Sequence, residues 1–194
     1  MTQDDRYISL ERSVLHTEVA LFGMVKAKSI QIPMWLHLKS FAEVHVEGLS
    51  LVAVQTENQW HTLRELRRQI EVPFGITEMD KIDAIMAEIR TIVGTFSANW
   101  FVAYFENVAV GSIGIVDFRD FGTPFGRLLD VDILPDFQGR GHGNRILSAI
   151  FLEAHRRGLS GLCLKADEDR WVKHWYARLG FEAFGIWHPK KKGE

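Results

Sequence analysis

Cysteine is all but absent from this 194-residue chain, which has one, and no sign of charge prevails: 23 Lys and Arg stand against 25 Asp and Glu, a formal net charge of −2. The lone Cys163 has no disulfide partner within the chain, so nothing points to an oxidising compartment. Inside the short apolar run GLCLKA it reads as a buried core thiol. Charge balance argues against broad nucleic-acid binding, which draws on many phosphate contacts. No 18 apolar residues run together, so no membrane span is expected. The opening MTQDDRYISL lacks the basic and apolar parts of a signal peptide, and a cytoplasmic location is expected. The tail PKKKGE carries only three lysines and reads as a solvated end.

Several catalytic signatures are missing as well. There is no G-x-S-x-G elbow, since Ser148 falls inside a helical pattern, and a serine triad is disfavoured. The eight histidines are scattered without ligand spacing, so no metal is expected. No Gly-Lys-Ser/Thr follows a glycine loop, and position 144 is Asn where a G-x-G-x-x-G pattern begun at Gly139 would need glycine. Nucleotide hydrolysis is therefore poorly supported.

What is present is an ordered alternation of strand and helix patterns. Residues 1–48 are the least regular, with partial alternation at Trp35 and His37 and again from Phe41 to Val46, punctuated by Pro33 and Gly48; they predict one or two strands. LSLVAVQTEN reads as a buried strand. A helix is expected from about Thr56 to Gln69, with Trp60, Leu63, Leu66 and Ile70 on one stripe and Arg64, Arg67 and Arg68 on other faces. Thr77 is placed to cap the next helix, with Asp80 three residues on, a stripe of Met79, Ile82, Ile85, Met86 and Ile89, and Gly94 as its stop. NWFVAYFENVAVGSIGIVDF predicts a hairpin turning at Glu106 and Asn107. A strand from Leu128 to Leu134 follows, then a helix bearing Ile146, Leu147, Ile150, Phe151 and Ala154. The strand LCLKA, a helix from about Arg170 to Leu179 and GFEAFGIW complete the pattern. The order fits an α/β domain with a mixed central sheet and helices on both faces, spanning 49–194, with an N-terminal extension over 1–48 that is available to add a strand.

The seam between the 128–134 strand and its helix, PDFQGRGHG, holds the sharpest signal. Gly139, Gly141 and Gly143 leave backbone amides unobstructed where a helix begins, and those first amides lack internal acceptors while the helix dipole adds positive character. Such a turn suits a phosphate or pyrophosphate; Arg140 adds a charge and Gln138 a donor. A purely geometric strand-to-helix turn is the competing reading.

QGRGHG matches the Q/R-x-x-G-x-G/A signature of the GCN5-related N-acetyltransferases, with Gln138, Gly141 and Gly143 in the defining places. VDILP looks like that family's fourth strand, and HWYARLGFEAFG resembles its ending, with Tyr176, Gly180 and Phe181 matching. The resemblance covers roughly residues 50–187. It implies acetyl-CoA as co-substrate, its pyrophosphate on the amides from Gly139 through Arg140, Gly141 and His142 to Gly143, with Gln138 at the edge. It further implies that the fourth strand splays from the fifth at a bulge, and that Val131, Asp132 and Ile133 pair with the pantetheine arm. Tyr176 is then the residue that protonates the departing thiolate. Two departures stand out. Asp169 occupies a place where the family often has Asn, and the chain ends soon after GFEAFGIW, leaving little room for a seventh strand. Residues from 1–48, or a partner subunit in a homodimer, could supply it.

For amine acetylation, a neutral amine, an oxyanion donor and a route for the thiolate are needed. An amide near Val131 or Asp132 could polarise the carbonyl, and Tyr176 could give its proton, although aromatic packing with Trp171 and Trp175 is its ordinary alternative. Asp130 and Asp132 fall on one face by strand alternation; either could be the base, bind a cationic acceptor, or form salt bridges. Phe118, Phe121 and Phe125 flank the loop before the strand and could meet an apolar part of the acceptor. Trp60 and Trp100 suit the core, with Trp35 and Trp187 less defined. The expected function is transfer of an acetyl group from acetyl-CoA directly to an amine, on a small molecule or a peptide. A longer acyl donor and a non-catalytic CoA-binding module are the alternatives.

Overall fold

A computed structural model describes residues 31–40, 46–119 and 124–183, and shows seven strands in one sheet with helices on both faces. In chain order the elements are β1 (Gln31–His37), β2 (Leu49–Ala53), α1 (Glu57–Glu71), α2 (Met79–Thr95), β3 (Ala98–Phe105), β4 (Val108–Phe118), β5 (Phe125–Ile133), α3 (His142–Arg156), β6 (Gly161–Asp167), α4 (Val172–Arg178) and β7 (Glu182–Ala183). The sheet order is β2-β3-β4-β5-β6-β1-β7. Every neighbouring pair is antiparallel except β5 and β6, which are parallel.

Local chemistry explains most boundaries. Thr56 caps α1 in a reciprocal box with Gln59, and the 3-10 turn Val72–Phe74 closes it onto Gly75 at φ 79°. The β3–β4 hairpin turns through Glu106 (φ 49°) and Asn107 (φ 67°), the left-handed pair that a two-residue connection requires. Two expected signals fail. Glu78, not Thr77, is the N-cap of α2, without a side-chain bond, and the helix runs through Gly94 to Thr95. One glycine costs a helix only about 1 kcal/mol, less than the packing of Ile89 and Ile92 that carries the helix past it. The expected 128–134 strand is shifted to 125–133, and the last helix is shorter than expected, Val172–Arg178.

Two apolar cores lie on opposite faces. Leu63, Leu66 and Ile70 of α1 with Ile82, Met86 and Ile89 of α2 cover Trp100, Val102, Leu129 and Cys163. Ile146, Leu147, Ile150 and Phe151 of α3, with Tyr176 and Phe181, cover Ile113, Leu128, Leu162 and Leu164. β1 is inserted between β6 and β7, paired residue by residue from Gln31↔Asp167 to His37↔Gly161, so the N-terminal extension places a strand inside the sheet. Pro33 stands within it. Phe41 to His45 lie outside the described residues, as do Phe121 and Trp187.

Candidate functional site

The parallel pair β5–β6 is short. Register holds only from Phe125↔Gly161 to Arg127↔Cys163, yet β5 continues to Ile133 along β4 and β6 to Asp167 along β1. Beyond those three pairs the strands part, leaving one edge of β5 open. The cause is local: the β4–β5 register slips between Ser112 and Gly114, and Asp130 takes φ 46°. A bulge adds a residue and bends its strand, here turning β5 away from β6. The splay at a bulge is as expected, and so is the placement of Asp130 and Asp132 on one face, since both carboxylates turn toward the same guanidinium.

The two aspartates meet through a residue expected to face elsewhere. Arg67 of α1 is buried, 7% exposed, because its guanidinium turns under the helix toward the bulge. One terminal nitrogen, Nη1, donates to Asp132 Oδ2 and lies 3.6 Å from Asp130 Oδ2. Nη2 donates to Glu71 Oε1 at 2.9 Å, one helical turn on. Burial opposes the Arg67 charge, but Asp130, Asp132 and Glu71 outweigh it and hold the group above its ordinary value. Asp132 is pushed up to about 7, chiefly by burial, with Asp130 and Glu71 adding to the rise and Arg67 opposing it. Glu88 on α2 is also raised, by burial and by the charge of Asp130. A carboxylate with a pKa near neutrality is suited to take up a proton at working pH.

Tyr176 lies on α4, 7% exposed, with its ring 4.8 Å from Trp175 and 5.6 Å from Phe181. Burial, then the charge of Asp132, raises its hydroxyl well above the usual phenol range while Arg127 opposes the rise, so the hydroxyl stays protonated at every working pH. The packing alternative is thus also real: the ring belongs to the α3-side core. Trp171, expected beside it, is 67% exposed and touches Trp175.

The glycine turn sits where the opened β5 edge ends. After the 3-10 turn Pro135–Phe137, Gly139 (φ 73°) and Gly141 (φ 81°) take left-handed conformations, and an added Cβ at either would meet nothing within 4 Å. Gly141 is the N-cap of α3 and offers no side-chain acceptor, so the first amides of that helix are exposed to a ligand. Arg140 is exposed with its guanidinium 5.9 Å from the Phe137 ring. The Gln138 amide, expected to donate outward, instead donates to the Ile133 carbonyl at 3.1 Å, tying the turn to the end of β5. His142 points inward, buried against Phe105 and Phe137, with Nδ1 lacking a protein partner; only its backbone can serve the turn.

Gly143 has another reason to be glycine. A Cβ there would lie 2.9 Å from the Trp175 indole, whose Nε1 donates to Asn144 Oδ1 at 2.7 Å. The glycine turn and the tyrosine helix are therefore docked on each other through a tryptophan. Gly143→Ala should displace that indole and lower stability by about 1 kcal/mol. Denaturant melts followed by tryptophan fluorescence check this.

Other expected residues fall elsewhere. Val131 and Ile133 are half-buried on the opened strand. Asp169 is exposed in the turn between β6 and α4. Phe118 and Phe125 are core residues stacked at 5.2 Å, so neither meets an acceptor. Sequence reasoning missed Arg67, Glu71, Trp175 and the buried Arg127, whose Nη1 donates to the Leu128 carbonyl at 2.8 Å. It also missed Ser112, the cross-strand partner of Asp132, fully buried with a hydroxyl that has no protein partner. A separate cleft of about 580 Å³ opens between α3 and strands β2–β3, lined by Leu51, Phe101, Leu152 and Arg156 among others, and contains none of the site residues. No group of three His, Cys, Asp or Glu among the described residues could hold a metal, and none of their helices is long and apolar enough to cross a membrane.

No curated protein matches the chain in sequence. The fold is shared by a conserved protein of unknown function from Staphylococcus epidermidis (TM-score 0.65, 19% identity, 89% of this chain and 64% of that one). It is also shared by a predicted acetyltransferase from Clostridium acetobutylicum, solved with acetyl-CoA (TM-score 0.53, 17% identity, 69% and 90%). A GCN5-related N-acetyltransferase from Kribbella flavida is similar too (TM-score 0.53, 14% identity, 82% and 56%). The chain thus spans less than two thirds of the first and third of these. The sequence profile of the acetyltransferase (GNAT) domain matches residues 97–183, the stretch from β3 to β7. Over that stretch, with its splayed strands and glycine turn, the chain is similar to the acetyltransferase (GNAT) domain and shares the fold of these solved structures.

Proposed function

We propose that this domain moves an acetyl group from acetyl-CoA directly to an amine, with Asp132 as proton acceptor and Tyr176 as donor to the departing sulfur. The observation that carries the reading is the splay of β5 from β6, which brings a turn of unobstructed amides and the half-buried carboxylate of Asp132, pushed up to about 7 by desolvation, to one opening. Acetyl-CoA supplies the activated thioester. The amides from Gly139 to Gly143 hold its pyrophosphate, and the edge of β5 from Val131 to Ile133 that β6 leaves accepts the amide-bearing arm by strand-like pairing, with the Gln138 amide marking its end at the Ile133 carbonyl. That registers the thioester beside the bulge, so proximity carries much of the acceleration.

Three carboxylates, Glu71, Asp130 and Asp132, surround one guanidinium, so the opening favours a positively charged acceptor. An amine arrives protonated; Asp132 takes one proton and frees the nitrogen lone pair. Amide formation and C–S cleavage release the thiolate and a second N–H proton. Tyr176, held far above the ordinary thiol pKa of about 8.5, steadies the sulfur by hydrogen bonding rather than by complete transfer. The thiol therefore draws its proton finally from the amine.

Calorimetric titration with acetyl-CoA and CoA, repeated for Gly141→Trp, tests the cofactor side. One-to-one binding is expected in wild type and loss of it in the variant. Circular dichroism serves as a check on folding, because Gly141 is left-handed and any side chain in that conformation adds roughly 1–2 kcal/mol of strain. Failure of the folded wild-type chain to bind either ligand would return the glycines to structural duty.

A further inference from the structure

We propose that Arg67 is a positioning residue: reaching from α1 into the β5 bulge, it fixes Asp132 rather than Asp130 as the proton acceptor, an inference that rests on the transfer reaction proposed above. An arginine among the buried residues Leu63, Leu66 and Ile70 is costly, since taking a guanidinium out of water is offset only by close ion pairing. A helix whose only task was to cover the sheet would place an apolar residue there.

The pairing is asymmetric, and that asymmetry makes the choice between the aspartates. Nη1 makes its hydrogen bond to Asp132, whereas Asp130 at 3.6 Å lies beyond one. Glu71, on the same helix, holds Nη2 at 2.9 Å, so the planar fork cannot swing toward Asp130. The Asp132 side chain is 23% exposed and that of Asp130 is 37%. One carboxylate is held and largely dry; the other is wetter and sits on the left-handed residue.

The charged and titratable groups acting on Asp132 are Arg67 and Glu71 on α1 and Asp130 on β5, with Tyr176 on α4 feeling its charge; Glu88 on α2 and Arg127 on β5 act on Asp130 instead. Burial and the carboxylates Asp130 and Glu71 favour protonated Asp132, and Arg67 is the cation that opposes them directly. Without it Asp132 would be protonated at neutral pH and unable to accept a proton from the ammonium of the acceptor. Arg67 itself exchanges no proton.

The test compares wild type with Arg67→Met, Arg67→Gln and Arg67→Lys. The carboxylate of Asp132 is titrated by 13C NMR on aspartate-labelled protein, assigned with Asp132→Asn, and kcat/KM is measured against pH across an amine panel. In the uncharged variants the Asp132 titration should rise by about one pH unit or more, and the acidic limb of kcat/KM should move with it. A shift of one unit lowers the rate at pH 7 by about fivefold, since half of Asp132 is already protonated there in wild type, and most of the rate returns near pH 9, with acetyl-CoA affinity unchanged. Lysine, which keeps the charge, should recover part of both. An Asp132 titration equal in wild type and in either folded uncharged variant overturns the proposal, as does a loss of rate of the same size at every pH. Arg67→Gln carries the test should Arg67→Met not fold. Absence of turnover with every amine would instead sink the transfer reaction, while the NMR titration would still report whether Arg67 governs Asp132.

Discussion

Asp132→Asn should lower kcat by roughly 10²- to 10⁴-fold, the range by which a positioned base contributes, while acetyl-CoA still binds. The carboxamide keeps an oxygen for Arg67 to donate to, so the α1–β5 contact survives the change; what disappears is the capacity to hold a proton. In wild type, kcat/KM should fall as pH drops through about 7, where Asp132 protonates, and this limb should be missing from the residual activity of the variant. Asp130→Asn, which removes the more exposed carboxylate, should cost about tenfold or less. Stability moves in the opposite sense. Because the folded-state pKa of Asp132 is raised from 3.8 to about 7, folding favours its protonated form. The associated stabilisation is fully present below the unfolded value and is lost as pH rises through the folded one. Asp132→Asn lacks that loss, so its unfolding free energy relative to wild type should improve between pH 4 and pH 8, as urea melts at several pH values would show.

Trp35→Ala should destabilise the fold by about 3–5 kcal/mol, a large part of the roughly 5–15 kcal/mol that holds a typical domain together. Trp35 is 2% exposed in the middle of β1. Its indole packs on Phe125 at a centroid distance of 5.7 Å and fills the space over Gly161, where any Cβ would overlap it. Those contacts join β1, β5 and β6 at the base of the splay, where the three parallel pairs are made. Loss of the indole should therefore weaken acetyl-CoA binding as well as lower the denaturation midpoint. Equal midpoints for Trp35→Ala and wild type would show that β1 contributes little to the sheet.

Periodicity made most of the architecture legible. The stripe Trp60, Leu63, Leu66 and Ile70 is the buried face of α1, and Ile146, Leu147, Ile150 and Phe151 are that of α3, because apolar spacing records burial directly. The same rule hid Arg67. A charged residue between apolar positions reads as solvent-facing, and the bulge of β5, created by pairing with β4, supplies two of the three carboxylates that make its burial tolerable, Glu71 on its own helix being the third. Asp130 and Asp132 were visible as candidates on one face, but their unequal hold on Arg67 was not, since no local pattern announces the left-handed residue at Asp130. In the glycine turn, spacing marked all three positions without separating their reasons: Gly139 and Gly141 for backbone conformation, Gly143 for the indole of Trp175 on another helix. Trp175 and Asn144 could have been suspected only by asking what the helix bearing Tyr176 rests on.

The place of β1 governs the order in which the molecule can assemble. Gln31 hydrogen-bonds to Asp167 across a separation of 136 residues, and β1 has β6 and β7 as its neighbours. At about 5–20 residues per second on the ribosome, the strand is made on the order of ten seconds before either partner exists. The β2–β3–β4 meander and the α1–α2 pair, all close in sequence, can form during that interval. β1 must then be captured late, by closing a loop that encloses nearly all the machinery of the site. Refolding from denaturant should accordingly be slow for a chain of this size. The side of the opening that faces β5 is completed only when β1 meets β6 and β7.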